Sequence, residues 1–340
     1  MSSVSVIIPC YNRAPFIAAT INNFLNQSAP PKELIVVDDG STDNSVNIIK
    51  SFGSKVKLIC QSNQGPGAAR NAGYRVSSGE FIQFMDSDDL ASNNKLETQK
   101  LKLLQTGADF AYCPWVRCSI ENNRLFFLDN ILQMGPVPPP KSMLEWSLSG
   151  WSLVFQNCLF RRSILEKSGP YRTDLMPSED SELFVRVLLN GARAVHTPEC
   201  LVFYREHTLN KITSTGTSAV HRALDWTRYL NVIGEAVKEL VPGMRLSTRI
   251  AITARFYAHQ AACSKLQVES CPDTHPFYSL SIPFKPLIIK AFAYYEKVLR
   301  RLKGSSDFLD AFQSSQTTNK HIELVRAIGY QFKSDEDNKA

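Results

Sequence analysis

Short apolar runs and segments with helical periodicity alternate along the N-terminal part of the chain. Residues 4–9 form a β-branched run that ends at a proline, and residues 14–27 place Phe16, Ile21 and Phe24 on one face of a helix. This pattern predicts a strand followed by a helix. The pattern then repeats and predicts strands at 33–38, 56–61 and 80–86, with helices at 42–52, 66–77 and 93–106.

These strands are apolar along most of their length rather than only at alternate positions. Consecutive apolar strands separated by amphipathic helices are typical of a parallel sheet with helices on both faces. We therefore expect an α/β fold built on a doubly wound, mostly parallel sheet.

The pattern is less regular beyond residue 108. A strand-like stretch at 109–118 precedes a proline-rich, extended connection at 136–140. From about Ser218 onward the pattern is helical. Between these parts, the sequence predicts a short helix near Trp146, a strand at 153–160, a helix at 179–190 and strands at 194–196 and 201–204.

The composition is that of a globular protein with a mildly basic charge. Thirty-eight Lys and Arg against 32 Asp and Glu give a net charge of +6, which fits an anionic ligand better than nucleic acid. The N-terminus has no signal-peptide pattern, and no apolar run approaches the ~20 residues of a membrane-spanning helix, so we expect a cytoplasmic protein. Eight cysteines without a Cys-x-x-Cys pair predict reduced, mostly buried thiols.

A basic amphipathic segment is predicted at residues 285–303. It places Ile288, Phe292 and Leu299 on one stripe and contains six basic residues and one acid, Glu296. Such a helix can make a peripheral contact with an anionic bilayer, or it can pack against the rest of the protein as an ordinary helix.

The apolar strand predicted at 80–86 ends in three carboxylates, Asp86, Asp88 and Asp89. In open parallel sheets, ligands bind just outside the carboxyl ends of the strands. Asp86 and Asp88, two positions apart, can reach one hard cation such as Mg²⁺ or Mn²⁺, which readily bridges a diphosphate. Alternatively, Asp88 and Asp89 only cap the next helix. The mutual repulsion of three acids favours the cation.

A second carboxylate pair ends the strand at 33–38. Gly40 permits a tight turn after Asp38 and Asp39, and Asp39 can accept a hydrogen bond from a nucleobase N–H or a ribose hydroxyl. The alternative is an ordinary strand-to-helix turn capped by Ser41 or Thr42.

Four segments, in this order, closely resemble the motifs of glycosyltransferase family 2: SVIIPCYN at 5–12, VDDGSTD at 37–43, GPGAARNAG at 65–73 and MDSDD at 85–89. A looser similarity continues through PSEDSEL at 177–183 and YREH at 204–207. The resemblance covers roughly residues 4–210 and implies the GT-A fold there, with a nucleotide-sugar-binding half at 1–118 and an acceptor-binding half at 119–215. The helical pattern adds a C-terminal helical region at 216–340, which carries no motif of the family.

The resemblance also implies roles for individual residues. The nucleotide sugar would be bound by Pro9, Tyr11, Asn12, Asp39, Arg70, Asp86 and Ser87. A metal ion, Mg²⁺ or Mn²⁺, would be held by Asp86 and Asp88, with His207 as a further ligand or a donor to the diphosphate. A structural role for His207 is an equal alternative.

The general base of the family falls on Asp180, at the start of a predicted helix. A carboxylate there can take the proton of an acceptor hydroxyl, and the positive end of the helix dipole favours its ionised form. The alternative from the residues alone is that Glu179 and Asp180 only complement the helix dipole.

The function that the resemblance implies is inverting transfer of a sugar, with a UDP-sugar favoured, to a saccharide or lipid-linked saccharide in polysaccharide or cell-envelope glycan synthesis. A polyprenyl-phosphate sugar synthase and a non-catalytic nucleotide-sugar-binding module remain alternatives. A processive polysaccharide synthase is disfavoured because the Gln-x-x-Arg-Trp segment is missing.

Overall fold

A computed structural model describes residues 3–151, 153–207, 218–272, 274–277, 287 and 318–332. The strands are β1 (Val4–Cys10), β2 (Glu33–Asp38), β3 (Lys57–Cys60), β4 (Phe81–Phe84), β5 (Leu90–Ala91), β6 (Phe110–Tyr112), β7 (Trp115–Glu121), β8 (Arg124–Phe127), β9 (Cys158–Arg161), β10 (Ala194–His196), β11 (Val202–Arg205) and β12 (Gln331–Phe332). The helices are α1 (Ala14–Leu25), α2 (Ser45–Lys50), α3 (Pro66–Val76), α4 (Lys95–Thr106), α5 (Met143–Leu148), α6 (Arg162–Ser168), α7 (Glu179–Leu189), α8 (Ala219–Val237), α9 (Leu246–Leu266) and α10 (Asn319–Ala327).

The main sheet has the strand order β10-β6-β9-β4-β1-β2-β3 within the described residues. Strand β1 pairs in parallel with β2 on one side and β4 on the other. Strand β9 lies antiparallel between β4 and β6, so the sheet is mostly but not wholly parallel. The expected α/β fold with a doubly wound, mostly parallel sheet is confirmed.

Helices cover both faces of this sheet, which explains the continuous apolar strands. Val6 and Ile8 of β1 pack in one core with Ile21 of α1, whereas Ile7 packs in the opposite core with Ala69 of α3. Successive side chains of a strand point to opposite faces, so both sets must be apolar.

Helix α3 lies very close to β1 because Gly73 has no side chain. A Cβ atom at this position would come within 2.4 Å of the Cγ2 atom of Ile7 and 3.2 Å of the Cγ2 atom of Val37. This close approach fixes the helix that carries Arg70 against the two strands whose carboxyl ends form the site.

A smaller sheet, with the order β12-β8-β7-β11-β5, lies beside the main one. The single strand expected at 109–118 was wrong. It is two strands, with β6 in the main sheet and β7 in the smaller one, separated at Pro114. Proline has no N–H to donate to a ladder, so a strand readily ends there and the chain changes sheets. The strand expected at 153–160 begins as a 3₁₀ turn, Phe155–Asn157, and only then becomes β9.

The C-terminal helices α8 and α9 pack against α5 and α7. Their shared core includes Leu175 and Val185 on one side and Tyr229, Ile233 and Phe256 on the other, all buried. Helix α7, which begins at Glu179, is therefore supported by the C-terminal region.

The division into segments at 1–118, 119–215 and 216–340 stays a prediction.

Two further expectations concern the basic segment at 285–303 and the state of the cysteines. The basic segment at 285–303 lies outside the described residues except for Leu287, so its membrane contact stays untested. None of the described helices is both long and apolar enough to span a membrane. All eight cysteines are free thiols, and each except Cys60 is buried, which confirms the expectation for them.

Candidate active site

A cavity of about 840 Å³ opens at the carboxyl ends of β1, β2 and β4. Parallel strands end at the same edge of a sheet, so motifs far apart in the chain meet there. The residues expected at the site that line this cavity are Pro9, Tyr11, Asn12, Asp39, Arg70, Asp86, Ser87, Asp88 and Asp180. His207 does not line the cavity, but it contacts Asp88 from behind.

Asn12 joins the loops that follow β1 and β2. Its φ is 52°, in the left-handed region that Asn tolerates better than most residues. Its Oδ1 atom accepts a hydrogen bond from the amide of Thr42 at 2.8 Å, and its own amide donates to Ser41 Oγ at 2.9 Å. The neighbouring Tyr11 is 45% exposed in the same cavity. Asn12 therefore shapes the cavity, and Tyr11 presents an aromatic face to it.

Asp39 is buried and orders the turn into α3. Its Oδ1 atom accepts hydrogen bonds from Gln61 Nε2 at 2.7 Å and the Gln64 amide at 3.0 Å. Its Oδ2 atom accepts one from the Gly65 amide at 2.8 Å, where φ is 88° and favours glycine. Asp39 thereby connects the end of β2 to the start of the helix that carries Arg70.

Arg70 lies at the centre of the site with 4% of its surface exposed. Its guanidinium donates to Asp86 Oδ1 at 2.8 Å and to Glu179 Oε1 at 3.0 Å, and it lies 3.5 Å from Asp180 Oδ1. It also lies over the ring of Tyr171, 5.3 Å from the centroid. Burial alone would lower the pKa of Arg70, but the charges of Asp180 and Asp86 outweigh burial and raise it well above its ordinary value. Arg70 therefore remains a cation.

The carboxylates of Asp86, Asp88 and Asp89 form a tight group in which one oxygen of each lies within 4.8 Å of the others. Burial, together with the charge of Asp88, raises the pKa of Asp86, and burial raises that of Asp89 well above the ordinary value. The mutual repulsion makes this group a favourable place for a cation.

Each of the three acids has different protein partners. Asp89 is almost fully buried and accepts from the Arg205 amide at 2.9 Å, which indicates a structural role. Asp86 and Asp89 share Gln156, whose Nε2 atom donates to them at 2.6 and 2.9 Å. Asp86 and Asp88 line the cavity, whereas Asp89 does not.

Asp88 is held by Arg13 Nε and His207 Nε2, each 2.9 Å from its Oδ2 atom. Burial raises the pKa of Asp88, but the hydrogen bonds from His207 and Arg13 outweigh burial and lower it. The His207 ring stacks on Phe16 with centroids 4.3 Å apart. Its Nδ1 atom is buried without a hydrogen-bond partner among the described residues.

These donor atoms fit a hard divalent cation. Asp86 and Asp88 offer carboxylate oxygens to the cavity, and such oxygens are the preferred ligands of Mg²⁺ and also suit Mn²⁺. His207 contacts Asp88 through its Nε2 atom and does not itself line the cavity.

Glu179 and Asp180 begin α7 and lie on the other side of Arg70. Burial and the charge of Asp180 raise the pKa of Glu179 to about 7, although Arg70 opposes this. Glu179 Oε2 and Asp180 Oδ1 are buried without hydrogen-bond partners among the described residues. Asp180 Oδ1 nevertheless faces the Arg70 guanidinium at 3.5 Å, so the charge of Arg70 compensates that of Asp180.

Sequence reasoning missed Arg13 and Gln156. Arg13 follows the first motif directly, and a cation at the end of a central strand was a usable signal. Gln156 has no such signal, because it reaches Asp86 only through the 3₁₀ turn before β9.

Residues 5–169 match the family model described as Glycosyl transferase family 2. The resemblance to glycosyltransferase family 2 is thus confirmed over these residues. The remaining part of the chain lies outside that match.

Curated relatives are also named as glycosyltransferases. An uncharacterized glycosyltransferase of Haemophilus influenzae is 40% identical over 37% of this chain and 52% of its own length. The uncharacterized glycosyltransferase YibD of Escherichia coli is 29% identical over 65% of this chain and 64% of its own length. The putative glycosyltransferase EpsH of Bacillus subtilis is 31% identical over 60% of this chain and 61% of its own length. The chain thus spans between half and two thirds of the length of these relatives.

Two solved structures confirm the GT-A fold. S. aureus TarS 1–349 in complex with UDP-GlcNAc matches with a TM-score of 0.54 and 16% identity, over 86% of this chain and 92% of that one. The mannosyltransferase PcManGT of Pyrobaculum calidifontis, in complex with GDP-Man and Mn²⁺, matches with a TM-score of 0.52 and 18% identity, over 96% of this chain and 86% of that one.

Proposed function

We propose that this protein is an inverting glycosyltransferase that moves a sugar from a nucleotide-diphosphate sugar, with a UDP-sugar favoured, to a hydroxyl of a saccharide or lipid-linked saccharide in polysaccharide or cell-envelope glycan synthesis. The observation that carries the proposal is the position of Arg70. It contacts Asp86 of the acidic cluster and lies beside Asp180 in one cavity. A cation that can stabilise the leaving group, Arg70, therefore lies next to a carboxylate that can accept a proton, Asp180.

The donor would lie along the cavity from the β1 end to the acidic cluster. Pro9, Tyr11 and Asp39 would surround the nucleoside, with Asn12 shaping the loop behind it. The UDP-GlcNAc bound to TarS and the GDP-Man bound to PcManGT support a nucleotide-sugar donor, and the preference for UDP rests on the resemblance of the motifs. Asp39 already accepts three hydrogen bonds from the protein, so its contribution to base recognition is largely to hold the wall of the cavity.

A cation held by Asp86 and Asp88, with His207 holding Asp88 from outside the cavity, would act, when bound, as a Lewis acid on the departing diphosphate oxygens. Mg²⁺ and Mn²⁺ fit these ligands, and the Mn²⁺ of PcManGT supports the assignment. Arg70 adds a permanent positive charge beside Asp86. Ser87, between the two acids, lines the same cavity.

The proposed reaction is a single displacement at the anomeric carbon. The acceptor oxygen forms a bond to this carbon while the bond to the diphosphate oxygen breaks, and the acceptor proton passes to the Asp180 carboxylate. The nucleoside diphosphate leaves with the bonding electrons. Arg70 keeps Asp180 beside the reaction centre, and this positioning of reactants lowers the barrier further.

The test is transfer by the full chain with a panel of UDP-, GDP- and TDP-sugars in the presence of Mn²⁺. Saccharide acceptors and a polyprenyl phosphate are offered in parallel, and the configuration of the product is determined by NMR. We expect transfer to a saccharide hydroxyl with an inverted anomeric centre. Transfer only to the polyprenyl phosphate, or binding of donor without any transfer, would contradict the proposal and favour the synthase or the non-catalytic module.

A further inference from the structure

A buried acid in the C-terminal region contacts the segment that leads into the candidate general base. Asp225, on α8, is 3% exposed. Its Oδ1 atom accepts from the Met176 amide at 2.5 Å, and its Oδ2 atom accepts from the amide and the hydroxyl of Ser178 at 3.0 and 2.6 Å. Asp225 lies outside the family match at 5–169.

The segment that Asp225 holds forms part of the cavity wall. Met176, Pro177, Glu179 and Asp180 all line the cavity. Ser178 is the N-cap residue of α7, yet its side chain caps no amide of its own helix and donates to Asp225 instead. Asp225 therefore determines where the backbone lies two residues before Asp180.

The segment is held from two sides. Arg70 contacts Glu179 and Asp180 from α3, and Asp225 contacts the backbone from α8. The position of α8 is itself fixed, because it packs with α7 in a buried core. Removal of the carboxylate would leave buried donors without an acceptor, and the segment would have to shift to satisfy them.

We propose that Asp225 is a positioning residue for sugar transfer, which sets the start of α7 and so places Asp180 against the acceptor hydroxyl. The inference rests on the proposed function. A displacement of about 1 Å from a productive geometry costs on the order of 100-fold in rate. By fixing the position of Asp180, the C-terminal helical region would therefore contribute to the chemical step.

The experiment compares Asp225→Asn with wild-type enzyme in the full chain. The amide keeps the shape of the side chain but replaces one acceptor oxygen with a donor group. We expect kcat to fall at least about tenfold, while the affinity for UDP with Mn²⁺, measured by titration calorimetry, changes less than about twofold. Hydrogen exchange should increase at the amides of Met176 and Ser178.

Glu145→Gln is the matched control. Glu145, on α5, also accepts hydrogen bonds across the contact with the C-terminal region, from the Arg245 amide and the Thr248 hydroxyl, each at 3.1 Å. It does not line the cavity. We expect this variant to lose stability and to keep the wild-type kcat. An equal fall of kcat in both variants would overturn the inference, because it would report a general loss of stability.

Ser178→Ala keeps the test decisive if Asp225→Asn does not fold. It removes one of the three hydrogen bonds and should lower kcat by a smaller factor, again with unchanged UDP affinity. If both variants fold, their effects on kcat should be less than multiplicative in the double variant, since they break the same contact. Wild-type kcat in either single variant would overturn this inference and leave the proposed function intact. A wild-type chain that transfers no sugar would contradict the proposed function itself.

Discussion

Arg70 Nη1 lies 3.0 Å from Glu179 Oε1, although 109 positions separate the two residues in the chain. The contact joins α3, which follows the third strand, to α7, which is supported by the C-terminal helices. It unites the part of the chain proposed to bind the donor with the part proposed to activate the acceptor. The predictions below follow from this arrangement.

Replacement of Arg70 by Lys should impair both stability and transfer. A guanidinium reaches Asp86 and Glu179 with different nitrogens, whereas one ammonium cannot make both contacts in this geometry. We expect kcat/KM to fall by about 10- to 100-fold, with a lower melting temperature. Arg75→Lys, an exposed position on the same helix, is the control and should leave both quantities unchanged. Wild-type kcat/KM in Arg70→Lys would contradict the central role of this residue.

Asp88→Ala should remove the stabilisation of the protein by UDP with Mn²⁺. A ligand at about 100 times its Kd contributes about 2.7 kcal/mol to the free energy of unfolding, which is measurable as a thermal shift. Glu80→Gln is the control, because Glu80 precedes β4 at the opposite end of the strand from the acidic cluster. An undiminished Mn²⁺-dependent shift in Asp88→Ala would show that the cation binds elsewhere.

Glu179 should make the stability of the ligand-free protein depend on pH. Its pKa is about 7 in the folded protein against an ordinary value of 4.5, so the folded state retains a proton that the unfolded state loses. Its favourable contribution is fully present below pH ~4.5 and is lost as the pH rises through about 7. Glu179→Gln mimics the protonated form.

The measurement is the free energy of unfolding by urea at pH 5 and pH 8. We expect the decrease between these values to be smaller in Glu179→Gln than in wild-type protein, by on the order of 2 kcal/mol. The same pH dependence in both proteins would mean that Glu179 ionises normally within the fold.

Gly73→Ala should destabilise the protein by about 1–3 kcal/mol through overpacking. The added methyl group would lie 2.4 Å from the Cγ2 atom of Ile7, so α3 would have to move away from β1. Gly135→Ala, where no atom lies within 4 Å of the added group, is the control. Denaturation by urea measures both, and equal stability of the two variants would contradict the close helix–strand contact.

Much of the fold could be predicted because its signals are local. The apolar runs at β2 and β10 gave the bounds of those strands, and the helix period gave α1 and α4 to within a few residues. The break at Pro114 was missed because the apolar character continues through it from β6 into β7. The antiparallel insertion of β9 depends on long-range pairing that no local pattern reports.

The residues of the candidate site could likewise be predicted only where their signal is local in the sequence. Carboxylates that directly follow apolar strands, such as Asp39 and Asp86, are visible in the sequence because the strand and the acid are adjacent. Gln156 and Asp225 are not, since each acts through a contact between distant elements. The family motifs named the residues at the carboxyl edge of the sheet, and the tertiary structure adds those that hold them in place.

The most direct test of the proposed function is Asp180→Asn, studied by titration with UDP and Mn²⁺ and by single-turnover transfer. The substitution keeps the side-chain shape and removes the ability to accept the acceptor proton, while Glu166→Gln, an exposed acid on α6, serves as the control. We predict UDP affinity within about twofold of wild type and a rate of transfer lower by about 10²- to 10⁴-fold. Transfer at the wild-type rate by Asp180→Asn would contradict the proposed mechanism.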